Sequence, residues 1–192
     1  MSVVKPLIDP SLVQLCTEDG SLLPQKMTIS EANKKGLWHL GIHVVVVNKQ
    51  NKSILVQKRS PRMFTHPSLL EVSLGGALKY GETFEEAALR ETKEETGISA
   101  SASSLLYVSD YRYNQAFPRL GIHSRVIAKN FILFINTEPP FRPEDQESSS
   151  AFFVSYKDAE ELMQNGLHPT HGSLSPDHIY YQKLLLDIQS HL

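Results

Sequence analysis

The sequence is poor in the features that define several large classes of protein. It has one cysteine in 192 residues, Cys16, so no disulfide can form within the chain. It contains no apolar run of about 18 residues, as a transmembrane helix would need, and residues 1–16 are too interrupted by proline and charge for a signal peptide. The net charge of −2 provides no basic surface for nucleic acid polymers. We therefore expect a cytoplasmic protein that binds neither membranes nor nucleic acids.

The chain does have enough apolar residues for a full core, since 41% of it is hydrophobic. Its length suits one domain. We expect an N-terminal arm at residues 1–36, packed on a domain at residues 37–192. Within the arm, Asp19 and Gly20 are a turn signal between two short apolar runs, which predicts a small hairpin.

Apolar runs and turn signals predict a mixture of strands and helices along the rest of the chain. The predicted strands are residues 38–47, 54–58, 69–74, 105–111, 124–135 and 152–154. The predicted helices are residues 83–96, 156–165 and 176–189. The sequence shows no repeat.

The most informative segment is residues 76–98, GALKYGETFEEAALRETKEETGI. Thr83 is a good N-cap residue, and Glu86 three positions later completes a capping box. The interior is rich in helix-forming residues and lacks glycine and proline. Gly97 is a natural stop. The segment therefore predicts a helix that begins near Thr83.

Carboxylates crowd one face of this predicted helix. At about 100° per residue, Phe84, Ala88, Glu91 and Glu95 share a narrow stripe, so the two glutamates should point into the fold. Like charges at this spacing repel, and an unpaired buried carboxylate is costly. A hard divalent cation such as Mg²⁺ or Mn²⁺ would resolve both problems. Arg90 lies off the stripe, where it can pair with a carboxylate.

A strand and two glycines precede the helix. Backbone at Gly75 and Gly76 can approach a ligand closely because it has no Cβ. Glu82, just before the helix, is placed to reach Arg90 or a metal-bound water. A solvated acidic surface helix is the alternative interpretation, but the complete spacing of glycine, glutamate and arginine is too specific to arise readily by chance.

At these residues the chain resembles the Nudix family, whose box is G-x5-E-x7-R-E-U-x-E-E-x-G-U, where U is a bulky aliphatic residue. One position departs from the box: Thr92 stands where an aliphatic residue is usual, a change that should affect local packing. The matching residues are Gly76, Glu82, Arg90, Glu91, Glu94, Glu95, Gly97 and Ile98.

The resemblance implies an α/β (α+β) fold, an α/β/α sandwich with a mixed central sheet. It also implies hydrolysis of a nucleoside diphosphate linked to another moiety, with Mg²⁺ or Mn²⁺ as cofactor. By position, Glu91 and Glu95 correspond to metal ligands, Glu94 contributes directly or through water, and the Gly75 carbonyl completes the shell. Gly76 and Glu82 would lie beside the substrate.

Several residues outside the box are further candidates. Lys58 and Arg59 end a strand near the expected cleft, where an arginine could bind phosphate, and Arg112 could do the same. Glu147, in a late acidic loop with Glu144 and Asp145, could act as base or ligand. The general base therefore stays open among Glu91, Glu94 and Glu147. His39 and His43 share a strand face and suit the core better than a metal site.

Two alternatives follow from the sequence. The run GLWHLGIHVVVVN…ILVQKRSPR resembles the part of the superfamily that includes isopentenyl-diphosphate isomerase. That enzyme needs a cysteine just before the box and metal-binding histidines, but here those positions are Gly75, Ala77 and Ala32. A catalytically silent nucleotide-binding module is the second alternative, although no box residue is lost.

The sequence leaves the oligomeric state open, with a homodimer as the commonest assembly.

Overall fold

The structure, a computed structural model, describes residues 10–144 and 146–191. It confirms the predicted fold class, a mixed sheet between layers of helices. The nine strands of the main sheet are β1 (Leu12–Cys16), β2 (Leu22–Thr28), β3 (Trp38–Asn48), β4 (Ser53–Arg59), β5 (Leu70–Glu71), β6 (Leu74–Ala77), β7 (Leu105–Phe117), β8 (Ile122–Ile135) and β9 (Ser148–Ser155).

Four helices accompany the sheet: α1 (Ile29–Lys35), α2 (Phe84–Thr96), α3 (Tyr156–Asn165) and α4 (His178–Gln189). A separate two-stranded ribbon, β10 (Leu167–His168) and β11 (Gly172–Ser173), follows α3. The predicted helices at 83–96 and 156–165 match α2 and α3 closely. None of the helices in the described part of the chain is long and apolar enough to cross a membrane.

Strand β3 organises the sheet. On one side it pairs in parallel with β8 from Trp38 to Asn48. On its other side it meets β1, then β6, and finally β4, all antiparallel. The mixed pairing that the family resemblance implies is therefore present, and it brings the glycines of β6 to the middle of β3.

Alternation of side chains along β3 divides the core into two layers. Ile42 and Val44 pack with Ala87 and Ala88 of α2 on one face. Val45 and Val47 pack on the other face with residues of α3 and α4. Because both faces are covered, β3 reads as a nearly continuous apolar run.

The N-terminal hairpin forms as its turn signal predicts, with β1 and β2 antiparallel. Strand β1 also joins the main sheet, and it holds the loop before α2. The Gln14 amide donates to the Leu78 carbonyl at 2.8 Å, and the Tyr80 amide donates to the Leu12 carbonyl at 2.8 Å. Helix α1 was not predicted. The first nine residues of the proposed arm lie outside the described residues.

The predicted single strand at residues 69–74 is wrong. Two short strands replace it, β5 and β6, with Val72 and Ser73 between them. Strand β6 continues through Gly75 and Gly76, which pair with His43 and Ile42 of β3. Both glycines are therefore paired residues of a strand and do not form a free loop.

Candidate active site

Local sequence fixes the position of helix α2. The Thr83 side chain accepts a hydrogen bond from the Glu86 amide, and the Glu86 carboxylate accepts from the Thr83 amide, so the predicted capping box is complete. Gly97 ends the helix in the left-handed conformation at φ 80°. Thr92, the one departure from the family box, is fully buried and donates its hydroxyl proton to the Ala88 carbonyl at 2.7 Å.

The two glutamates of the stripe point inward, as predicted. Glu91 is 8% exposed and Glu95 is 3% exposed. Oε1 of Glu95 accepts a hydrogen bond from the Gly75 amide at 3.1 Å. The Glu91 carboxylate lies over Gly76, where a Cβ would stand only 1.9 Å from Oε1 of Glu91. The paired glycines therefore provide the space and the donor that these carboxylates need.

Arg90 lies at the centre of the box carboxylates. Its guanidinium bonds both oxygens of Glu82, at 2.7 and 3.0 Å. Its Nη1 donates to Glu91 at 2.5 Å and to Glu94 at 3.0 Å. A further bond of 3.2 Å to the Ala77 carbonyl ties the helix to β6. The predicted pairing of Arg90 is thus observed, and this cation already neutralises part of the crowded charge.

Burial raises the proton affinity of both inward carboxylates. Burial raises the pKa of Glu91 to about 7, although Arg90 acts in the opposite direction. Burial also raises the pKa of Glu95 well above its ordinary value, and the charges of Glu91 and Glu147 raise it further. Such shifts mark carboxylates whose charged form lacks a full set of partners.

These donors suit a hard divalent cation in chemical type, because they are carboxylate oxygens backed by close glycine backbone. Within the described residues, however, no three side chains of histidine, cysteine, aspartate or glutamate converge as a preformed metal cage. Arg90 holds Glu91 and Glu94 in this arrangement. A metal ion shared by these glutamates would have to compete with the guanidinium for their oxygens.

The late acidic loop, which was expected to supply a further acid, runs along the end of α2. The Arg142 amide donates to the Thr96 carbonyl at 2.9 Å, and the Glu144 amide donates to the Glu94 carbonyl at 2.7 Å. Glu147 is half-buried, and its charge acts on both Glu91 and Glu95. The structure therefore brings Glu147 to the site, whereas Asp145 lies outside the described residues.

Among the three basic candidates, the structure brings only Arg59 to this side of the sheet. Its guanidinium bonds the Glu71 carboxylate at 2.9 Å and the Thr65 carbonyl at 3.2 Å, so these partners already occupy it. Lys58 follows Ile54 and Val56 on the opposite face of β4, because side chains alternate along a strand.

Arg112 is not brought to the carboxylates. It lies on β7, three strands from β6 by way of β8 and β3, which is about 14 Å at the usual strand spacing. Its guanidinium donates to the Glu18 carbonyl in the turn of the N-terminal hairpin. The local sequence around Arg112 gave no information on this long-range contact.

Three residues at the site were missed by the sequence analysis. Gln57 of β4 is 2% exposed and Ser148 of β9 is 6% exposed, and Ser148 Oγ lies 3.4 Å from Oε2 of Glu95. Glu71 pairs with Arg59. The one available signal was Gln57 itself, a polar residue within the apolar run of a buried strand.

A comparison with protein families tests the resemblance to the Nudix box. Residues 37–177 match the model of the NUDIX domain. The chain belongs to the NUDIX family. This membership confirms the resemblance that the box indicated, and the matched residues include strands β3 to β9, helix α2 and the acidic loop.

Curated NUDIX relatives are similar to parts of the chain. An uncharacterised Nudix hydrolase of Clostridium acetobutylicum is 33% identical over 53% of this chain and 49% of its own length. One from Listeria monocytogenes is 26% identical over 79% of this chain and 84% of its own. An isopentenyl-diphosphate isomerase of Streptomyces avermitilis is 25% identical over 78% and 74%. The chain thus spans about half the length of the Clostridium relative.

Solved structures share the fold. A Deinococcus radiodurans protein has a TM-score of 0.65 at 19% identity, covering 90% of this chain and 98% of that one. The NUDIX domain of NrtR from Shewanella oneidensis, solved with ADP ribose, has a TM-score of 0.57 at 15% identity, covering 79% and 86%. At these identities the likeness concerns the NUDIX fold alone.

Of the two histidines of β3, His39 is buried in the core and His43 is half-buried. His39 is 1% exposed. His43 packs against the face of β6 opposite Glu91: its ring lies 2.9 Å from where a Cβ of Gly75 would stand, and its Nδ1 lies 3.1 Å from Asn130 Oδ1. Burial lowers the pKa of both histidines, which favours their neutral forms.

Proposed function

We propose that the protein is a metal-dependent pyrophosphohydrolase that cleaves the diphosphate linkage of a nucleoside diphosphate derivative. The observation that carries this proposal is the placement of two nearly buried carboxylates, Glu91 and Glu95, against the bare backbone of Gly75 and Gly76. Membership of the NUDIX family and relatives named Nudix hydrolases support it.

Glu91 and Glu95 would hold Mg²⁺ or Mn²⁺, with Glu94 joining directly or through water and the Gly75 carbonyl as a further ligand. When bound, the metal would neutralise diphosphate charge and lower the pKa of a coordinated water. Arg90 keeps the ligands in place through Glu82 and the Ala77 carbonyl, and neither of these contacts involves a proposed metal ligand.

The proton from the attacking water requires a carboxylate with access to solvent. Glu94 is 34% exposed in its side chain, and Glu147 is half-buried, so both are better placed than the fully enclosed Glu95. Glu91 is a third candidate because burial raises its pKa to about 7. These groups would titrate together, so one of them cannot be singled out as base by its position alone.

The substrate class can be tested with a panel of compounds and one pair of variants. Purified protein with Mg²⁺ or Mn²⁺ is incubated with nucleoside di- and triphosphates, sugar nucleotides, dinucleotides and ADP-ribose, and the hydrolysis products are separated by chromatography. Glu95→Gln should abolish metal-dependent hydrolysis. Glu85→Gln, which alters an exposed glutamate of the same helix, should retain it. Full activity in Glu95→Gln would overturn the metal assignment.

The isomerase alternative is supported by the relative from Streptomyces, but one observation argues against it. Residue 75 is a glycine, and its backbone packs directly against the His43 ring, where a Cβ would lie 2.9 Å from a ring carbon. The site therefore has neither the thiol that the isomerase needs nor room for it without a shift of His43. Incubation with isopentenyl diphosphate should give no isomer.

A further inference from the structure

The Glu95 carboxylate is held from two directions. Oε1 accepts from the Gly75 amide at 3.1 Å, a contact made within the NUDIX box. Oε2 lies 3.4 Å from Ser148 Oγ, a contact made from β9, 53 residues further along the chain. The Gln57 side chain also hydrogen-bonds Glu95 and acts to lower the pKa of its carboxyl. Because Glu95 is only 3% exposed, few further groups can orient it.

Ser148 is itself oriented by Gln57. The serine hydroxyl donates to Oε1 of Gln57. The orientation of the Gln57 amide is determined by its other end, where Nε2 donates to the Ser73 carbonyl at 3.1 Å and lies 3.4 Å from the Glu71 carboxylate. A flipped amide would place its oxygen against these two acceptors, so the acceptor end must face Ser148.

This direction of hydrogen bonding has a consequence for Glu95. Ser148 has one proton and two acceptors within reach, Oε1 of Gln57 and Oε2 of Glu95, and Gln57 is the nearer. The hydrogen bond that Ser148 donates to Oε2 of Glu95 is therefore long. The Gly75 amide therefore fixes Oε1 of Glu95, whereas Oε2 receives only the long hydrogen bond from Ser148.

We propose that Gln57 and Ser148 are positioning residues that hold the Glu95 carboxylate in the orientation in which it would bind the metal. The proposal rests on the metal-dependent function proposed above. It adds that the metal site depends on a brace from strands β4 and β9, outside the box: Gln57 directs Ser148, and Ser148 limits the rotation of the Glu95 carboxylate.

The proposal is tested by Mn²⁺ binding, measured by calorimetry and by electron paramagnetic resonance without any substrate. Ser148→Ala should weaken Mn²⁺ binding about tenfold, the usual effect of losing a group that orients a metal ligand. Ser149→Ala is the matched control, because Ser149 is the exposed neighbour on the same strand and donates to the Lys58 carbonyl. Its Mn²⁺ affinity should equal that of the wild type.

A double-mutant cycle tests whether the two residues act as one unit. Gln57→Leu should weaken Mn²⁺ binding to a similar degree, and the double variant Gln57→Leu with Ser148→Ala should add little. Additive losses, or unchanged affinity in Ser148→Ala, would overturn the brace. Circular dichroism and thermal unfolding in EDTA identify loss of folding; if Gln57→Leu does not fold, the comparison of Ser148→Ala with Ser149→Ala decides alone.

The result also separates the brace from the proposed function. A wild-type protein that binds no Mn²⁺ would overturn the metal site and the brace together. Wild-type binding with no loss in Ser148→Ala would overturn the brace and leave the proposed function standing. In the hydrolysis assay the brace predicts a fall in kcat larger than the change in KM, because Glu95 orientation affects the metal more than the bulk of the substrate.

Discussion

The Glu91 carboxylate occupies the space that a side chain at residue 76 would fill. A Cβ at Gly76 would lie 1.9 Å from Oε1 and 2.1 Å from the carboxyl carbon of Glu91. Gly76 and Glu91 therefore depend on each other sterically. The carboxylate of Glu91 fits against the strand only because residue 76 has no side chain.

Gly76→Ala should remove activity by displacing Glu91. The new methyl group cannot fit unless the carboxylate leaves its place against β6, so we expect at least a hundredfold fall in kcat, on the order of 3 kcal/mol, together with weaker Mn²⁺ binding. Enzyme kinetics and calorimetry are the measurements. Gly121→Ala is the control, because a Cβ at Gly121 meets nothing within 4 Å, although its left-handed backbone carries some strain.

Arg90→Ala should destabilise the metal-free protein. The change leaves Glu82, Glu91 and Glu94 close together without the guanidinium that bridges them. We expect a loss of about 2 kcal/mol, since the pairs are partly exposed and the cost of breaking fully buried pairs is about 3–5 kcal/mol. Urea unfolding in EDTA measures it. Mg²⁺ should restore more stability to this variant than to the wild type, and equal responses would contradict our account of Arg90.

The stability of the metal-free protein should fall as pH rises from about 4.5 to about 7. Burial raises the pKa of Glu91 from 4.5 in the unfolded chain to about 7 in the fold, so the native state binds the extra proton in this window. Stability is then fully present below the unfolded pKa and is lost through the folded one, by roughly 1–3 kcal/mol. Urea unfolding across this range, in EDTA, checks the sign. Glu91→Gln should reduce the slope, and Glu95, whose pKa burial also raises, should account for the part that is left.

The N-terminal strand should be required for stability, and Leu15 tests this. Leu15 is 1% exposed and packs with Val13 and Ala32, on the strand that holds the loop before α2. Leu15→Ala should cost about 2–4 kcal/mol and lower activity through that loop. Leu22→Ala, which truncates a 66% exposed leucine of the same hairpin, should cost little. Urea unfolding of both variants gives the comparison.

Local signals predicted helix α2 well. The Thr83–Glu86 capping box and Gly97 act within a few residues, so their effect can be read from the chain without knowing the fold. The inward direction of Glu91 and Glu95 also followed from helical periodicity. The pairing of Arg90 with its neighbours was accessible for the same reason.

Contacts between distant strands could not be predicted in this way. Arg59 was expected to bind phosphate, but β5 brings Glu71 to it. Arg112 was expected to bind phosphate, but its guanidinium donates to the Glu18 carbonyl in the turn of the N-terminal hairpin. Gln57 and Ser148 lie 91 residues apart and meet only because β4 pairs with β9. Such pairings depend on sheet topology, which short strands and their propensities do not specify.

The guanidinium of Arg90 gives the acidic site a resident counterion that is part of the chain itself. The chain can therefore fold in this region before any divalent cation binds. Under the proposed function, removal of the ion would stop hydrolysis while the fold stays intact, and adding the ion back would restore it.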